Sequence, residues 1–262
     1  MTQQMPTLFV SHGPPTLSIL DAPATTFLKG LGAQLPRPRA ILCISAHWEA
    51  WRPMVSGPAA PSTIHDFGGP PQLFTLRYPA PGDPALAERV VQLLTAGGLD
   101  AGIDPERGLD HGVWVPLRLI YPEAGIPVLQ VSIQTESDPA HHFALGRALA
   151  PLRKEGVLIL GSGGATHNLP EIQGHRMTEP PVDYAEAFDA WLEEVIRDGR
   201  TASLLNYEAE GPFAARNHPW PAEHFLPLFA PLGAAGEGAV GRLLHRSFMY
   251  GLLSMAAYRW DG

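Results

Sequence analysis

Short apolar runs alternate with amphipathic stretches along this chain, and that alternation limits its possible folds more than any other feature. Buried strands are predicted at residues 7–10, 40–45, 127–133 and 157–160. Helices are predicted at 24–35, 84–94, 142–152 and 184–197, with a short helix at 221–229 and one or two last strands within 243–260. Strands that alternate with helices predict an α/β fold, here a single-domain sandwich with a central, mostly parallel or mixed sheet flanked by helices. The 262 residues show no repeat and no shift of composition, so one domain over 1–262 is expected.

Charge and cysteine content exclude several classes of protein. The net charge is -8 and no basic run occurs, which is evidence against a nucleic-acid partner. We find no uncharged apolar run long enough to span a bilayer and no signal peptide, so we expect a cytoplasmic protein with no membrane partner. The only cysteine, Cys43, cannot form an internal disulfide or a cysteine-based zinc site, and we expect it to be a small buried residue.

Three of the 11 histidines follow predicted strands. His12 comes after the first strand, His47 after the second and His167 after the strand at 157–160. In open α/β sheets, binding sites form beyond the carboxyl ends of the strands, so parallel neighbouring strands would bring these imidazoles together. Any one such histidine is most often a surface or hydrogen-bonding residue. Three at equivalent positions predict a metal site or a catalytic cluster, because imidazole binds iron(II), zinc, copper and nickel.

Two further histidines lie in segments with neighbouring acidic residues. His111 is expected where a loop enters a helix, with Asp110 as a potential cap. Glu223 and His224 are both potential ligands, but adjacent residues on a helix diverge by about 100°, so only one of them is expected to bind a given ion. The glycines at 161–164 would allow close approach of backbone and leave room for a substrate.

Segments spread over nearly the whole chain together resemble a known enzyme family. They resemble the class III extradiol ring-cleavage dioxygenases, and most closely the DOPA dioxygenase-type branch of the LigB-like superfamily. The segments that carry the resemblance are 11–15 (SHGPP), 45–48 (SAHW), 64–69 (IHDFGG), 78–82 (YPAPG), 109–114 (LDHGVW), 167–169 (HNL) and 223–228 (EHFLPL).

The resemblance implies a ligand set for one metal ion. His12 and His47 match the first two ligands of the family and His224 matches the third ligand of this branch. The wider superfamily has a glutamate in the third place, which leaves Glu223 as the competing ligand. Fe(II) is the implied cofactor, and Zn(II) is the metal expected to replace it in purified protein.

The resemblance also implies catalytic and pocket residues. His167 matches the acid–base histidine near the metal, which some members use as a fourth ligand, and His111 matches a second pocket histidine that contacts substrate or oxygen. His65 and Glu223 are expected near the substrate pocket. Pro14 stands where many relatives have serine, and is expected to reshape the pocket floor.

The implied reaction is extradiol cleavage of a catecholic ring of the DOPA or caffeate kind by O2 at a mononuclear non-heme Fe(II), giving a muconic semialdehyde. The expected partners are therefore a small catechol and O2, and the chain is expected to be a monomer or a homodimer. Two alternatives stay open at this point. One is a zinc-dependent enzyme, such as a hydrolase, on the same scaffold. The other is a non-catalytic relative that only binds a ligand.

Overall fold

An eight-stranded mixed sheet forms the centre of the structure, a computed structural model that describes residues 4–261. The strands of this sheet and of a separate two-stranded pair are β1 (Thr7–Ser11), β2 (Ala40–Glu49), β3 (Met54–Ser56), β4 (Gly102–Asp104), β5 (Val128–Ile133), β6 (Val157–Gly163), β7 (Gly241–His245), β8 (Phe248–Met249), β9 (Leu253–Ser254) and β10 (Ala257–Trp260). The order in the large sheet is β4-β3-β5-β2-β6-β1-β10-β7, and β8 pairs with β9. The four central strands β5, β2, β6 and β1 are parallel, whereas β10 is antiparallel to β1 and to β7. The predicted α/β sandwich around a mixed sheet is confirmed.

Helices cover both faces of the sheet. They are α1 (Pro23–Leu31), α2 (Pro84–Ala96), α3 (His111–Ile120), α4 (Pro139–Leu149), α5 (Pro151–Lys154), α6 (Asp183–Arg197), α7 (Thr201–Leu205), α8 (Tyr207–Glu210), α9 (Ala214–Asn217) and α10 (Phe229–Ala235), with 3-10 turns at Pro15–Ser18, Gly32–Gln34, Pro71–Thr75, Leu169–Glu171 and Leu226–Leu228. No helix within the described part of the chain is both long and apolar enough to cross a membrane.

Alternate residues of the central strands face two different cores. In β2, Ile41 and Cys43 pack with the helices α1 and α3, whereas Leu42 and Ile44 pack with α2 and α4 on the other face. Because both faces are covered, these strands are apolar without alternation, which is the pattern that predicted them. Cys43 is fully buried, as expected.

One predicted strand end was wrong, and it moves a candidate residue. β2 continues to Glu49, so His47 lies inside the strand and does not follow it. Beyond Ser45 the burial alternates, with Ala46 and Trp48 buried and His47 half-buried. The end of the continuous apolar run therefore marks the end of two-sided burial rather than the end of the strand.

The helix predicted at 221–229 was also wrong. The backbone there turns at Ala222, whose φ is 60°, and the helix α10 starts only at Phe229. Pro227 has no amide hydrogen to donate within a regular helix, and only a short 3-10 turn forms around it. The argument that Glu223 and His224 diverge on a helix therefore does not apply.

An aspartate precedes each of the helices α2 and α3, but only one of the two caps its helix. Asp83 caps α2, because its carboxylate accepts a hydrogen bond from the amide of Leu86. Asp110 occupies the position before α3, but its side chain makes no capping bond. Other polar groups engage that carboxylate, as described below.

Candidate metal centre

Histidines from separate parts of the chain meet at the carboxyl edge of the parallel strands. β2, β6 and β1 are adjacent in the sheet, so the positions that follow them or lie near their ends are neighbours in space. His12 directly follows β1, His47 lies near the end of β2 and His167 follows β6. His224 arrives on the loop before α10, and His111 is the first residue of α3.

Three of these imidazoles converge on one point. One ring nitrogen each from His12, His47 and His224 lies within 4.8 Å of the corresponding nitrogens of the other two. The Nε2 atoms of His12 and His47 are 3.0 Å apart. Converging imidazole nitrogens of this kind are a donor set that could hold a divalent metal ion.

Hydrogen bonds on the outer side of two rings fix which nitrogen faces the convergence point. The hydroxyl of Ser162 donates to the carbonyl of Gly112, so its oxygen accepts from Nδ1–H of His12 at 3.1 Å. In the same way Nδ1 of His224 lies 2.8 Å from a carboxylate oxygen of Glu223. Each contact places a proton on Nδ1 and leaves the lone pair of Nε2 free, which is the usual arrangement behind a metal-binding histidine.

The same three imidazoles are neutral at pH 7. Burial, followed by the repulsion of the neighbouring imidazoles, holds the pKa of His12 and of His224 well below the ordinary value. Burial and the adjacent His111 lower the pKa of His47 to about 3. Only the neutral form of histidine binds a metal, so the environment favours the form that a ligand needs.

Glycines in β6 let the His224 loop approach the sheet. A Cβ atom on Gly163 would stand 2.0 Å from the carbonyl oxygen of His224, and one on Gly161 would stand 2.2 Å from that of Pro227. The amide of Gly164 donates to the His224 carbonyl at 2.8 Å. The close approach of backbone predicted from the glycine run is thus confirmed, and it brings His224 to the other two histidines.

A buried polar network supports the end of β2. Arg107 donates to the carbonyl oxygen of His47 at 3.2 Å and to the carboxylate of Asp110 at 2.8 Å. Ser45 and Gln130 also donate to Asp110, which explains why that carboxylate does not cap α3. Burial raises the pKa of Asp110, and the three donors oppose that shift. Nothing local in the sequence indicated this network, because its members come from three distant segments.

Two more histidines flank the convergence point. The ring of His167 stacks on that of His224 with 3.4 Å between centroids and 11° between planes. Burial, with a smaller contribution from His111, lowers the pKa of His167 to about 4, so this ring is neutral at pH 7. The centroid of His111 lies 3.8 Å from that of His47.

Asp66 orients His111 and was missed by the sequence analysis. Nδ1–H and the backbone amide of His111 both donate to the same oxygen of Asp66, at 3.0 and 3.1 Å. Burial raises the pKa of Asp66, but the hydrogen bonds and charge of His111 outweigh it and bring the pKa below its usual value. Asp66 lies in the 64–69 segment, for which the sequence predicted a pocket role for His65 only.

A cavity of about 310 Å³ lies in front of the histidines. His12, His47, His111, His167 and His224 all line it, and so does Pro14. His65 and Glu223 are not among its lining residues. Nε2 of His65 donates to the carbonyl of Leu76 at 3.0 Å, and Glu223 stands behind the ring of His224. In the segment of His65, it is Phe67 that reaches the cavity wall.

Comparison with known proteins identifies the family. A family model described as the catalytic LigB subunit of aromatic ring-opening dioxygenase matches residues 5–260. The chain belongs to the LigB family. Curated relatives of this LigB-family chain include proteins named 4,5-DOPA dioxygenase extradiol. The relative from Beta vulgaris is 45% identical over 97% of this chain and 96% of its own length, and the one from Escherichia coli K12 is 41% identical over 88% and 85%.

A solved structure confirms the fold of the LigB-family chain. A crystal structure of an Escherichia coli K12 protein superposes with a TM-score of 0.80 and 35% identity, and the match covers 98% of this chain and 99% of that one. The resemblance inferred from seven short segments therefore extends over the whole chain, both in sequence and in fold.

Proposed function

We propose that this chain is an extradiol dioxygenase that opens a catecholic ring of the DOPA or caffeate kind with O2 and yields a muconic semialdehyde. The observation that carries the proposal is the convergence of His12, His47 and His224 at the edge of a cavity that two further histidines also line. The names of the curated relatives support the same reaction. The catalytic unit is taken to be one domain over residues 1–262.

The donor set fits a mononuclear non-heme Fe(II), and His12, His47 and His224 would hold it. The outer hydrogen bonds to Ser162 and Glu223 keep Nδ1 of two rings protonated, so that their Nε2 lone pairs are available. Fe(II) bound there would supply vacant positions where the diol and O2 meet and would remove the spin barrier between them. Zn(II) prefers the same nitrogen donors, and we expect it as a competing metal in purified protein.

His167 is assigned as the base that accepts a proton from the diol. Its ring is neutral at pH 7 because burial lowers its pKa to about 4, and it lies on the cavity wall against His224. A catechol must lose protons to chelate a metal, and a neutral imidazole within reach of the hydroxyl is suited to take one.

His111 is assigned as the second pocket histidine, which contacts substrate or oxygen. The hydrogen bond from its Nδ1–H to Asp66 holds the ring and leaves Nε2 free for a group in the cavity. Asp66 is a positioning residue in this proposal, since it acts on the reaction only through His111.

The test is metal content and oxygen uptake in matched histidine variants after anaerobic purification and Fe(II) loading. His12→Ala should lose both iron and catechol-dependent oxygen uptake. His167→Ala should keep iron and lose turnover by at least about 100-fold. His175→Ala is the control, because His175 pairs with Glu179 outside the cluster, and it should behave as the wild type. Full iron content and normal turnover in His12→Ala would disprove the ligand assignment.

The same preparation separates the competing functions. A zinc-dependent hydrolase would be active with Zn(II) and would consume no oxygen. A non-catalytic relative would bind catechol when loaded with Fe(II) and leave it intact. Membership of a family of ring-opening dioxygenases favours oxygen uptake with formation of the yellow semialdehyde. The cytoplasmic location and the choice between monomer and homodimer stay predictions.

A further inference from the structure

One side-chain hydroxyl of the cavity lining is not used inside the protein. Tyr250 lines the cavity, and its hydroxyl makes no hydrogen bond to any group within residues 4–261. The other hydroxyls of the lining already donate hydrogen bonds to the protein, and they belong to Ser11, Thr166 and Ser254. Among the hydroxyls of the described lining residues, that of Tyr250 is therefore the one free to bind a ligand.

The cavity wall away from the histidines is largely apolar. Besides Tyr250, its members are Phe67, Leu169, Ile172, Leu253 and Met255. Among the described residues that line the cavity, none is lysine, arginine, aspartate or glutamate. A catechol whose diol faces the histidines directs its ring substituent toward this wall. A polar group at the end of that substituent would therefore meet one free side-chain hydroxyl and no charged side chain.

The backbone holds Tyr250 in a fixed place relative to the histidines. Tyr250 lies in the loop between β8 and β9 with a φ of 56°, and its amide donates to the carbonyl of Met177 at 3.0 Å. In the same loop the carbonyl of Leu252 accepts a hydrogen bond from the hydroxyl of Thr166 at 2.7 Å, and Thr166 directly precedes His167. A tyrosine in the left-handed region costs free energy that a glycine would not, and such strain is concentrated at functional sites.

We infer that Tyr250 is a specificity-determining residue, whose hydroxyl donates a hydrogen bond to a carboxylate at the end of the catechol's side chain. This inference rests on the proposed function and deepens it, because catechols of the DOPA or caffeate kind carry a carboxylate on a three-carbon side chain. The histidines then hold the diol at one end of the substrate, and the phenol recognises the other end.

The position of Tyr250 suits a charged acceptor. Its side chain is half-buried, so a carboxylate beside it keeps part of its hydration while the phenol replaces one water molecule. A hydrogen bond to a charged acceptor is stronger than one between neutral groups, and loss of such a donor weakens binding about tenfold or more. A substituent without a hydrogen-bond acceptor gains nothing from the hydroxyl, so the two kinds of substrate should respond differently to its removal.

The test compares two catechols with side chains of equal length in Tyr250→Phe, which removes the hydroxyl and keeps the ring. The probes are 3-(3,4-dihydroxyphenyl)propionate and 4-propylcatechol, titrated calorimetrically into the Fe(II)-loaded full chain without oxygen, so that no ring is opened. We expect the Kd of the propionate to rise about tenfold and that of propylcatechol to change less than about twofold. Oxygen uptake should show the same contrast in kcat/KM.

Tyr258→Phe is the matched control. Tyr258 is buried in β10 and is not among the lining residues of the cavity, and its hydroxyl also has no partner within the described part of the chain. Its loss should leave both Kd values unchanged. In Tyr250→Phe, an unchanged Kd for the propionate, or an equal rise for both catechols, would overturn the inference. Binding of both catechols by the wild type without oxygen uptake in air would instead refute ring cleavage, and the two Kd values would still decide the role of Tyr250.

Discussion

Gly163→Ala should separate the His224 loop from the strand on which the metal centre depends. The added Cβ would stand 2.0 Å from the carbonyl oxygen of His224, a distance that no packed structure tolerates. For that distance to reach an ordinary contact, the His224 loop and β6 must move apart by at least about 1 Å. Metal–ligand distances tolerate only about 0.2 Å, so Nε2 of His224 would leave the set.

The expected result is at least about 100-fold weaker binding of Fe(II), because one of three ligands is lost while His12 and His47 remain. Overpacking of this kind also lowers the free energy of unfolding by about 1–3 kcal/mol. Anaerobic titration calorimetry with Fe(II) measures the first effect, and urea unfolding measures the second. Circular dichroism establishes that the variant is folded before either comparison is made.

Gly164→Ala is the matched control for this experiment. The neighbouring glycine also lines the cavity, but its added Cβ would meet the carbonyl oxygen of Thr166 at 3.3 Å and atoms of His167 beyond that. Small shifts accommodate such contacts, so this variant should bind Fe(II) within a few-fold of the wild type. Unchanged affinity in Gly163→Ala would show that the loop and His224 are not held by the close approach to β6.

The remaining predictions concern the hydrogen bonds around the histidines. Asp66→Asn should lower kcat about 100-fold with iron content unchanged, because His111 loses the carboxylate that orients it; an unaltered kcat would remove Asp66 from the reaction. Ser162→Ala should weaken metal binding about 10–100-fold in the same calorimetric titration, since Nδ1–H of His12 loses its acceptor; equal affinity would contradict that role. The buried His142 takes up a proton near pH 6.5 when unfolded but only near pH 4 when folded, so the folded state loses stability as the pH falls between those values, by about 2 kcal/mol from pH 7 to pH 5. Urea unfolding of the metal-free protein should show that His142→Gln loses about 2 kcal/mol less stability than the wild type between pH 7 and pH 5. An equal loss in the variant and the wild type would exclude His142 as its source.

The elements with strong local patterns could be predicted from the sequence. The helix α6 has an apolar stripe, and α2 has Asp83 as its cap and Gly97 at its end, so composition and spacing determine both. The helix predicted at 221–229 was wrong because the apolar residues of this segment pack against β6 and the core and do not form one face of a helix. Its path depends on the glycines of another strand, which local spacing does not reveal.

Candidate site residues could be predicted where sheet topology alone brings them together. His12 and His167 follow β1 and β6, and His47 lies near the end of the adjacent parallel strand β2, so one rule about sheet edges found all three. Asp66 and Arg107 could not be found in that way, because their partners His111 and His47 lie on other elements and a hydrogen bond between distant segments has no sequence pattern. The outward partners of a ligand are visible only once the fold is known.

The three converging nitrogens come from chain segments that lie far apart in the sequence, since His12 and His47 lie in the first fifth of the chain and His224 in the last. A nascent or denatured polypeptide therefore cannot assemble the chelating group from any single fragment, and a metal would bind the native state almost exclusively. By mass action each tenfold excess of free metal over its dissociation constant would then add about 1.4 kcal/mol of stability. The ion would act as a reversible cross-link between early and late parts of the polypeptide. The melting temperature would therefore rise with the concentration of free metal.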